Sequence, residues 1–189
     1  MSTLKDRMTE CGAFLTAIWG LEDLGLYAIV VAQENPDGAA DGTDIWHTYG
    51  FRWPKGISAA LKRIAMSEKS GANVYICPAL YTQPKRLREH VAGSRCLWMD
   101  SDGNAPMHFD DAVPEPSIRV RTSSPTNIHD YWLLDEFLDD VDSLETGNRS
   151  ITAFFGADAS GWDATQLLRP PGTTNRKNGL PVRVLEGLS

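Results

Sequence analysis

The chain has 189 residues, 42% of them hydrophobic and 23% charged, which is ordinary for a globular protein and excludes disorder along its whole length. Its longest strongly apolar run, residues 24–32, is too short to cross a bilayer. The first ten residues lack the apolar core of a signal peptide. The three cysteines form no C-x-x-C pair. We therefore expect a cytoplasmic protein with no membrane association, disulfide framework or zinc site. The net charge is −7, and residues 96–189 carry 15 acidic but only 7 basic side chains, so contacts with nucleic acid must be local or mediated by metal ions.

The first half of the chain alternates between predicted helices and strands. Apolar residues three and four apart predict a helix from residue 4 to the glycine at 20, and a second helix from residue 57 to the Ser-Gly pair at 70–71. Runs rich in β-branched residues predict strands over residues 26–32, 45–51 and 74–77. Residues 34–44 are predicted to form a turn-rich loop. A short helix is predicted over residues 83–92, because a proline lies near its first turn and a glycine follows its end.

The second half contains a predicted hairpin. A buried strand over residues 96–100 leads into two aspartates, and residues 117–122 and 128–134 form the arms of a hairpin around Ser-Pro-Thr-Asn. An acidic helix over 135–145, a further helix over 148–155, an irregular loop over 169–179 and a last strand over 182–185 follow. Because helices and strands do not alternate strictly and a hairpin lies in the middle, the pattern favours an α+β fold over a doubly wound sheet.

The sharpest local feature is a pair of aspartates, Asp100 and Asp102, at the end of the apolar strand. Residues i and i+2 of a strand point to the same face, so the two carboxylates could converge on a hard cation. Mg²⁺ is commonly held by one or two carboxylates together with substrate phosphates, and a pair of such ions can serve phosphoryl transfer. A solvated strand end followed by a turn is the alternative interpretation.

Two other readings of the same D-x-D-G stretch are weaker. In a calcium-binding loop Ala105 would occupy the sixth position, which needs glycine, and Asp111 would replace the usual glutamate at the twelfth. A haloacid-dehalogenase-like phosphatase would use the first aspartate as nucleophile and then a Ser or Thr, a Lys and an acidic pair, in that order. Ser123 and Lys177 could fill two of these roles, but no acidic pair follows Lys177.

The predicted hairpin carries polar groups that suit a triphosphate. Alternation puts Arg119 and Arg121 on one strand face, Ser123 and Ser124 lie where the strand enters its turn, and His129 lies near the start of the return strand. Hydroxyls, turn amides and an imidazole can all donate hydrogen bonds to phosphate oxygens. A structural role in the sheet is the alternative for the histidine.

A third feature is the loop R-P-P-G-T-T-N-R-K at residues 169–177. Pro170 stiffens its entry and Gly172 permits a close backbone approach. Arg169, Arg176 and Lys177 are three of the few cations in this half of the chain, and both side-chain types bind phosphate. The alternative is a surface loop whose cations offset the acidic surroundings.

These three motifs, in this order, resemble the archaeo-eukaryotic primase superfamily. The segments L-W-M-D-S-D-G, T-S-S-P-T-N-I-H-D-Y-W and D-A-T-Q-L-L-R-P-P-G-T-T-N-R-K are similar to those of the primase-polymerases of plasmid and phage replication, which include the RepB-like primases. The resemblance covers residues 73–177. Pro170 stands where these relatives usually have leucine, a difference that concerns packing rather than chemistry.

The resemblance implies both a fold and a reaction. The fold is α+β, with an RRM-like antiparallel sheet as catalytic unit (residues 96–189) packed with an N-terminal α/β unit (residues 1–95) in one domain, residues 1–189. The reaction is template-directed nucleotidyl transfer, in which primers are made and extended on single-stranded DNA with two Mg²⁺ or Mn²⁺ ions. The implied partners are the template strand, NTPs or dNTPs, and a replicative helicase or appended helicase domain.

The resemblance also assigns roles to individual residues. The catalytic and metal-binding acids are Asp100, Asp102 and Asp163, with Asp158 as an alternative to Asp163. The implied nucleotide-binding residues are Ser123, Ser124, His129, Arg169, Asn175 and Lys177. Besides the phosphatase, the rival function is a non-catalytic nucleic-acid-binding module of a replication initiator, which would need aromatic side chains on a sheet face for base stacking.

Overall fold

The computed structural model describes residues 2–34, 45–103, 109 and 113–188. Most of the predicted turn-rich loop and of the calcium-loop alternative lies outside these residues. The helices of the described part are α1 (Leu4–Trp19), α2 (Ile57–Lys69) and α3 (Val141–Phe155), with a 3₁₀ turn at Arg88–His90. The strands are β1 (Tyr27–Glu34), β2 (Ile45–Arg52), β3 (Asn73–Ile76), β4 (Leu80–Tyr81), β5 (Val91–Asp100), β6 (Ile118–Arg121), β7 (Ile128–Leu138), β8 (Thr174–Asn175), β9 (Leu180–Pro181) and β10 (Arg183–Glu186).

One large antiparallel sheet organises the molecule. Its strand order is β10-β6-β7-β5-β4-β1-β2, with β3 paired to β1, while β8 and β9 form a separate two-stranded ribbon. The expected α+β fold with an antiparallel sheet is therefore confirmed. Within the described residues, no helix combines the length and the apolar character that a bilayer crossing requires.

Strand β5 joins the two parts of this sheet. It pairs with β4 at its start and with β7 along its length, from Ser94 opposite Leu138 to Asp100 opposite His129. The division expected between residues 95 and 96 falls inside this strand. That division into two units stays a prediction.

The two faces of β5 and β7 are covered by different helices. Phe14 of α1 makes an edge-to-face contact with Tyr131, at 5.2 Å between ring centroids. The next residue of β7, Trp132, packs with Met99 of β5 and Ile151 of α3 in a second apolar cluster. Because successive strand residues point to opposite faces, α1 and α3 lie on opposite sides of the sheet. Met99 points to the side of α3, so Asp100, the next residue, points to the opposite face, which α1 covers elsewhere in the sheet.

The helix predicted over residues 83–92 is wrong. The chain there is irregular except for the short 3₁₀ turn at Arg88–His90, and β5 begins at Val91 by pairing with Tyr81. Pro84 packs directly on Gly50 of β2, where an added Cβ would lie 2.5 Å from the proline Cα. Packing against the sheet and strand pairing therefore override the local helix signals.

The helix predicted over residues 135–145 is also displaced. Strand β7 continues to Leu138, which pairs with Ser94, so the apolar spacing in this stretch belongs partly to a strand. Helix α3 starts after Asp140, whose carboxylate accepts hydrogen bonds from the amide of Asp142 and the hydroxyl of Ser143. It then runs without interruption to residue 155, so the two helices predicted in this region are one. The other predicted helices and strands are confirmed, with shifted ends.

Candidate active site

Asp100 and His129 meet at the end of β5. They are directly opposed in the β5–β7 ladder, and the imidazole Nε2 lies 3.6 Å from Oδ2 of Asp100. His129 is 3% exposed, and its Nδ1 has no hydrogen-bond partner among the described residues. The register of β5 and β7 therefore holds a carboxylate and an imidazole side by side.

The environment of Asp100 keeps it ionised. Burial would raise the pKa of this carboxyl, but the His129 imidazole, the Asp102 amide and the Arg169 guanidinium together outweigh burial, so the pKa lies below its ordinary value. A carboxylate that stays charged at neutral pH in a mostly buried position is suited to bind a cation.

Asp102 lies beyond the strand, in a turn. Its φ of 33° is in the left-handed region, and its backbone amide donates a 3.3 Å hydrogen bond to Oδ1 of Asp100. The expectation that both carboxylates project from one strand face is therefore wrong. Asp100 and Asp102 are neighbours through a local turn, in which the first carboxylate accepts from the backbone of the second residue.

The two candidates for the third acid have different surroundings. The amide of Asp158 donates a 3.0 Å hydrogen bond to the carbonyl oxygen of Asp100, while its carboxylate accepts from Ser160. The Asp163 carboxylate accepts from the amide and hydroxyl of Thr165, and no hydrogen bond or ion pair in the described part of the chain joins it to Asp100. The Asp158 segment thus lies beside Asp100, and the identity of the third acid stays a prediction.

The described residues contain no preformed cluster of three or more His, Cys, Asp or Glu side chains arranged for a metal ion. Asp100 and Asp102 nevertheless supply carboxylate oxygens of the kind that Mg²⁺ prefers. One or two carboxylates suffice for Mg²⁺ when substrate phosphates complete its coordination. The donor set therefore fits Mg²⁺ only if ligands other than these two carboxylates complete its coordination.

The turn between β6 and β7 presents hydroxyl groups next to His129. Asn127 closes the turn, because its carbonyl oxygen accepts from the amide of Thr122 and its side-chain amide donates to Ser123 Oγ at 2.8 Å. The hydroxyl of Ser124 lies 3.4 Å from that of Thr126. The Ser123 oxygen accepts in this network, which leaves its proton to be donated elsewhere.

Asn175 connects the R-P-P-G-T-T-N-R-K loop to this turn. Its side-chain amide donates to the carbonyl oxygen of Thr122 at 3.3 Å, and its Oδ1 accepts from the amide of Lys177 at 3.2 Å. Asn175 is buried and Lys177 is exposed. The structure therefore brings the loop to the hairpin, with Asn175 as the anchor and Lys177 at the surface.

Arg169 is held by an aromatic residue that sequence reasoning missed. Its Nη2 donates a 2.9 Å hydrogen bond to the hydroxyl of Tyr75, and its guanidinium lies 4.8 Å from the centre of the Tyr75 ring. The preceding residue, Leu168, pairs with Ile76 of β3, which fixes the backbone. Tyr75 is one of several residues on a short strand, and nothing in its local pattern marked it.

Solved structures of primases share this architecture. The archaeo-eukaryotic primase domain of the cyanophage S-2L primase-polymerase superposes with a TM-score of 0.67 at 14% identity, over 97% of this chain and 90% of that one. The chain has the archaeo-eukaryotic primase fold. Primase RepB′ matches with a TM-score of 0.60 and 18% identity, over 95% of this chain and 56% of that one. The catalytic domain of RepB′, in complex with initiator DNA, matches at 0.58 and 18%, over 95% and 84%.

The likeness to these primases lies in the fold. No protein-family model and no curated protein matches the sequence. The resemblance inferred from the motifs is thus confirmed at the level of the fold.

Within this primase fold, Arg176, one of the three cations of the R-P-P-G-T-T-N-R-K loop, forms an ion pair with a buried acid. Its guanidinium pairs with the buried carboxylate of Glu68 at 3.0 Å, which also accepts from Arg7 at 2.9 Å and from the hydroxyl and amide of Thr174. Burial raises the pKa of Glu68, but these four partners outweigh it and the pKa lies below its usual value. Arg176 therefore anchors the loop to α2 and is not a free phosphate-binding cation. Glu68 was missed because it lies among polar residues near the end of a helix, where a solvated side chain is expected.

Proposed function

We propose that this chain is the catalytic domain of a primase-polymerase, which joins nucleotides on a single-stranded DNA template to make and extend primers. The observation that carries the proposal is the ionised Asp100 facing His129, with Arg169 close enough to lower the pKa of that carboxyl, inside a primase fold. A carboxylate for a cation and an imidazole and guanidinium for phosphate are the groups that a nucleotide triphosphate requires.

The acidic side chains bind the metal ions of the substrate complex. Asp100 and Asp102, with Asp163 or Asp158 as third acid, hold Mg²⁺ or Mn²⁺ together with the phosphates of the nucleotide. When bound, the ions make the attacking hydroxyl a better nucleophile and stabilise the leaving pyrophosphate.

The nucleotide-binding residues keep the triphosphate in line with the attacking hydroxyl. His129 and Ser123 donate hydrogen bonds to its oxygens, and Ser124 lies in the same turn. Arg169 neutralises charge from the β3 side. Asn175 keeps Lys177 near the hairpin, where Lys177 adds a second, exposed cation.

The proposed template and biological context are suggested by the structures that share this fold. One of the structures with this fold is a primase domain in complex with initiator DNA, which supports DNA as a partner of this chain. The proposal takes a single-stranded template as the form of that DNA. We propose plasmid or phage replication as its setting, in the cytoplasm, with a replicative helicase as a partner. The low sequence identities leave the choice between ribo- and deoxynucleotides to experiment.

A primer-synthesis assay tests the proposal. The purified chain is incubated with single-stranded DNA, labelled NTPs or dNTPs and Mg²⁺ or Mn²⁺, and products are resolved on a gel. Template-dependent products that vanish with EDTA are expected. Binding of single-stranded DNA with no incorporation under any of these conditions would overturn the catalytic proposal in favour of a non-catalytic module. Release of phosphate from small phosphomonoesters would instead favour the phosphatase.

A further inference from the structure

Trp46 is an exposed aromatic residue at the edge of the sheet. It lies on β2, the last strand on that side, and 49% of its surface is accessible. In the β1–β2 ladder it is opposite Gln33, and Gln33 is opposite Asn73 of β3 in the β1–β3 ladder. Directly opposed residues share a face, so Trp46 lies on the same face as Asn73 and as Tyr75 two residues on.

Trp46 is part of a stack that leads towards the candidate site. Its ring lies 5.7 Å from the ring of Tyr75, with 30° between the planes, and the Arg169 guanidinium lies over Tyr75 at 4.8 Å. The Tyr75 hydroxyl donates to Gln33 Oε1 at 3.2 Å, and the Asn73 amide donates to the same oxygen at 3.1 Å. One end of the stack therefore acts on Asp100 through Arg169, and the other end is open at Trp46.

We infer that Trp46 stacks on a base of the single-stranded DNA template outside the nucleotide pocket, an inference that rests on the proposed function. A half-exposed indole that is already held against a second ring offers a rigid flat surface, and every base can stack on such a surface regardless of its identity. Tyr75 contacts both Trp46 and Arg169, and within the described residues no contact joins those two directly, so a base on Trp46 is separated from the nucleotide whose phosphates bind at Asp100. The occupant is therefore a base of the strand rather than the incoming nucleotide.

The charges near Trp46 favour a contact with the base over one with the phosphates. An acid lies close to both neighbours of Trp46 on β2. Glu34 is the ladder partner of Ile45, and the Glu34 carboxylate is 3.7 Å from Nε2 of His47. The cation of this stack, Arg169, contacts the ring and hydroxyl of Tyr75 and makes no contact with Trp46 in the described part of the chain. Removal of Trp46 should therefore weaken binding without changing the number of phosphates that the protein neutralises.

The test measures DNA binding by fluorescence anisotropy with a labelled oligo-dT and with an abasic strand of equal length. The variants are Trp46→Ala and Trp46→Phe, and the matched control is Phe154→Ala, which removes another half-exposed aromatic side chain, on α3. We expect Trp46→Ala to bind oligo-dT about tenfold more weakly, in line with the loss of one stacked base, and Trp46→Phe to retain most of the affinity. The abasic strand should bind Trp46→Ala and the wild type equally, and the slope of log affinity against log salt should not change.

Two results would overturn the inference, and each is distinct from failure of the proposed function. Equal affinity of Trp46→Ala and the wild type for oligo-dT would mean that the indole has no role in DNA binding. The exposed indole would then be assigned to a contact with another protein. An equal loss on the oligo-dT and abasic strands would show that Trp46 acts only on the structure of the domain. If the wild type neither binds DNA nor incorporates nucleotides, the proposed function itself fails and the stacking inference fails with it.

Discussion

Asp100 and His129 face each other across β5 and β7, and each is part of the electrostatic environment of the other. Removing the carboxylate takes away the only acidic group that the ladder sets directly opposite the imidazole. Removing the imidazole takes away one of the groups that hold the pKa of Asp100 down. The two substitutions should nevertheless have different effects on function, because the proposed function assigns Asp100 to the cation and His129 to the nucleotide.

Asp100→Asn should abolish nucleotide incorporation. The change removes a negative charge at nearly constant volume, so metal binding is lost while the fold is kept. Incorporation is measured in the gel assay with Mn²⁺ as well as Mg²⁺. Asp142→Asn is the matched control, since it removes an exposed aspartate of α3 that pairs with Arg88. Normal incorporation by Asp100→Asn would contradict the assignment of this residue to the metal site.

His129→Ala should weaken nucleotide binding by about one to two orders of magnitude. A hydrogen bond to a charged group contributes roughly 1.5–3 kcal/mol, which corresponds to that range of affinity. The dissociation constant for the nucleotide is measured by calorimetry, and thermal unfolding is followed in parallel because the side chain is buried. A lowered melting temperature with unchanged nucleotide affinity would assign His129 a structural role.

Arg169→Gln should raise the nucleotide concentration for half-maximal rate more than Lys177→Gln does. The guanidinium of Arg169 is held on Tyr75 and lowers the pKa of Asp100, whereas Lys177 is exposed and positioned only through its backbone. The salt dependence of single-stranded DNA binding should be unchanged in both variants, since its slope counts phosphates of the nucleic acid. A slope reduced by about one unit per substitution would place these cations on the template path instead.

Glu68→Gln should destabilise the protein by about 2 kcal/mol, which is a drop in melting temperature of roughly 4–8 °C for a chain of this size. The substitution leaves Arg7 and Arg176 without their shared carboxylate. Asp142→Asn again serves as control, because an exposed ion pair contributes about 0–1 kcal/mol. A stability loss no larger than that of the control would mean that Glu68 does not hold the loop.

The same ion pairs predict a pH dependence. The pKa of Glu68 is lower in the folded state than in the unfolded state, so its stabilising effect is complete above its ordinary pKa and disappears as the pH falls through the folded value. The stability difference between the wild type and Glu68→Gln should therefore be constant near neutral pH and shrink in acid. Unfolding in urea at a series of pH values measures it. A difference that grows as the pH falls would have the wrong sign.

Local patterns were sufficient for most of the fold but not where distant segments decide the conformation. The periodicity of α1 and the hairpin arms of β6 and β7 were visible in the sequence, because burial on one face leaves a repeat of fixed length. The stretch around Leu138 also had a helical spacing, yet pairing with Ser94 makes it a strand. Propensity is a weak signal compared with such cross-strand contacts.

Within the candidate site, the motifs identified residues but not all of their partners. Asp100 could be found because it ends an apolar strand, and His129 because it lies near the start of the return strand of a predicted hairpin. Arg176 was counted only as one of the loop cations, because sequence alone does not reveal that a glutamate more than a hundred residues away would pair with it. Tyr75 was missed for the same reason, since its importance depends on what lies above its ring.

The alternation of β5 between two covered faces makes the length of this strand more critical than its composition. One residue inserted before Met99 would turn the carboxylate of Asp100 to the side of α3 and bring Met99 towards the imidazole of His129. Substitutions along the strand would alter packing by degrees, whereas this single insertion would exchange an ionic site for an apolar one in one step. In any protein with this arrangement, tolerance to mutation should therefore be tested separately for changes of residue and changes of length.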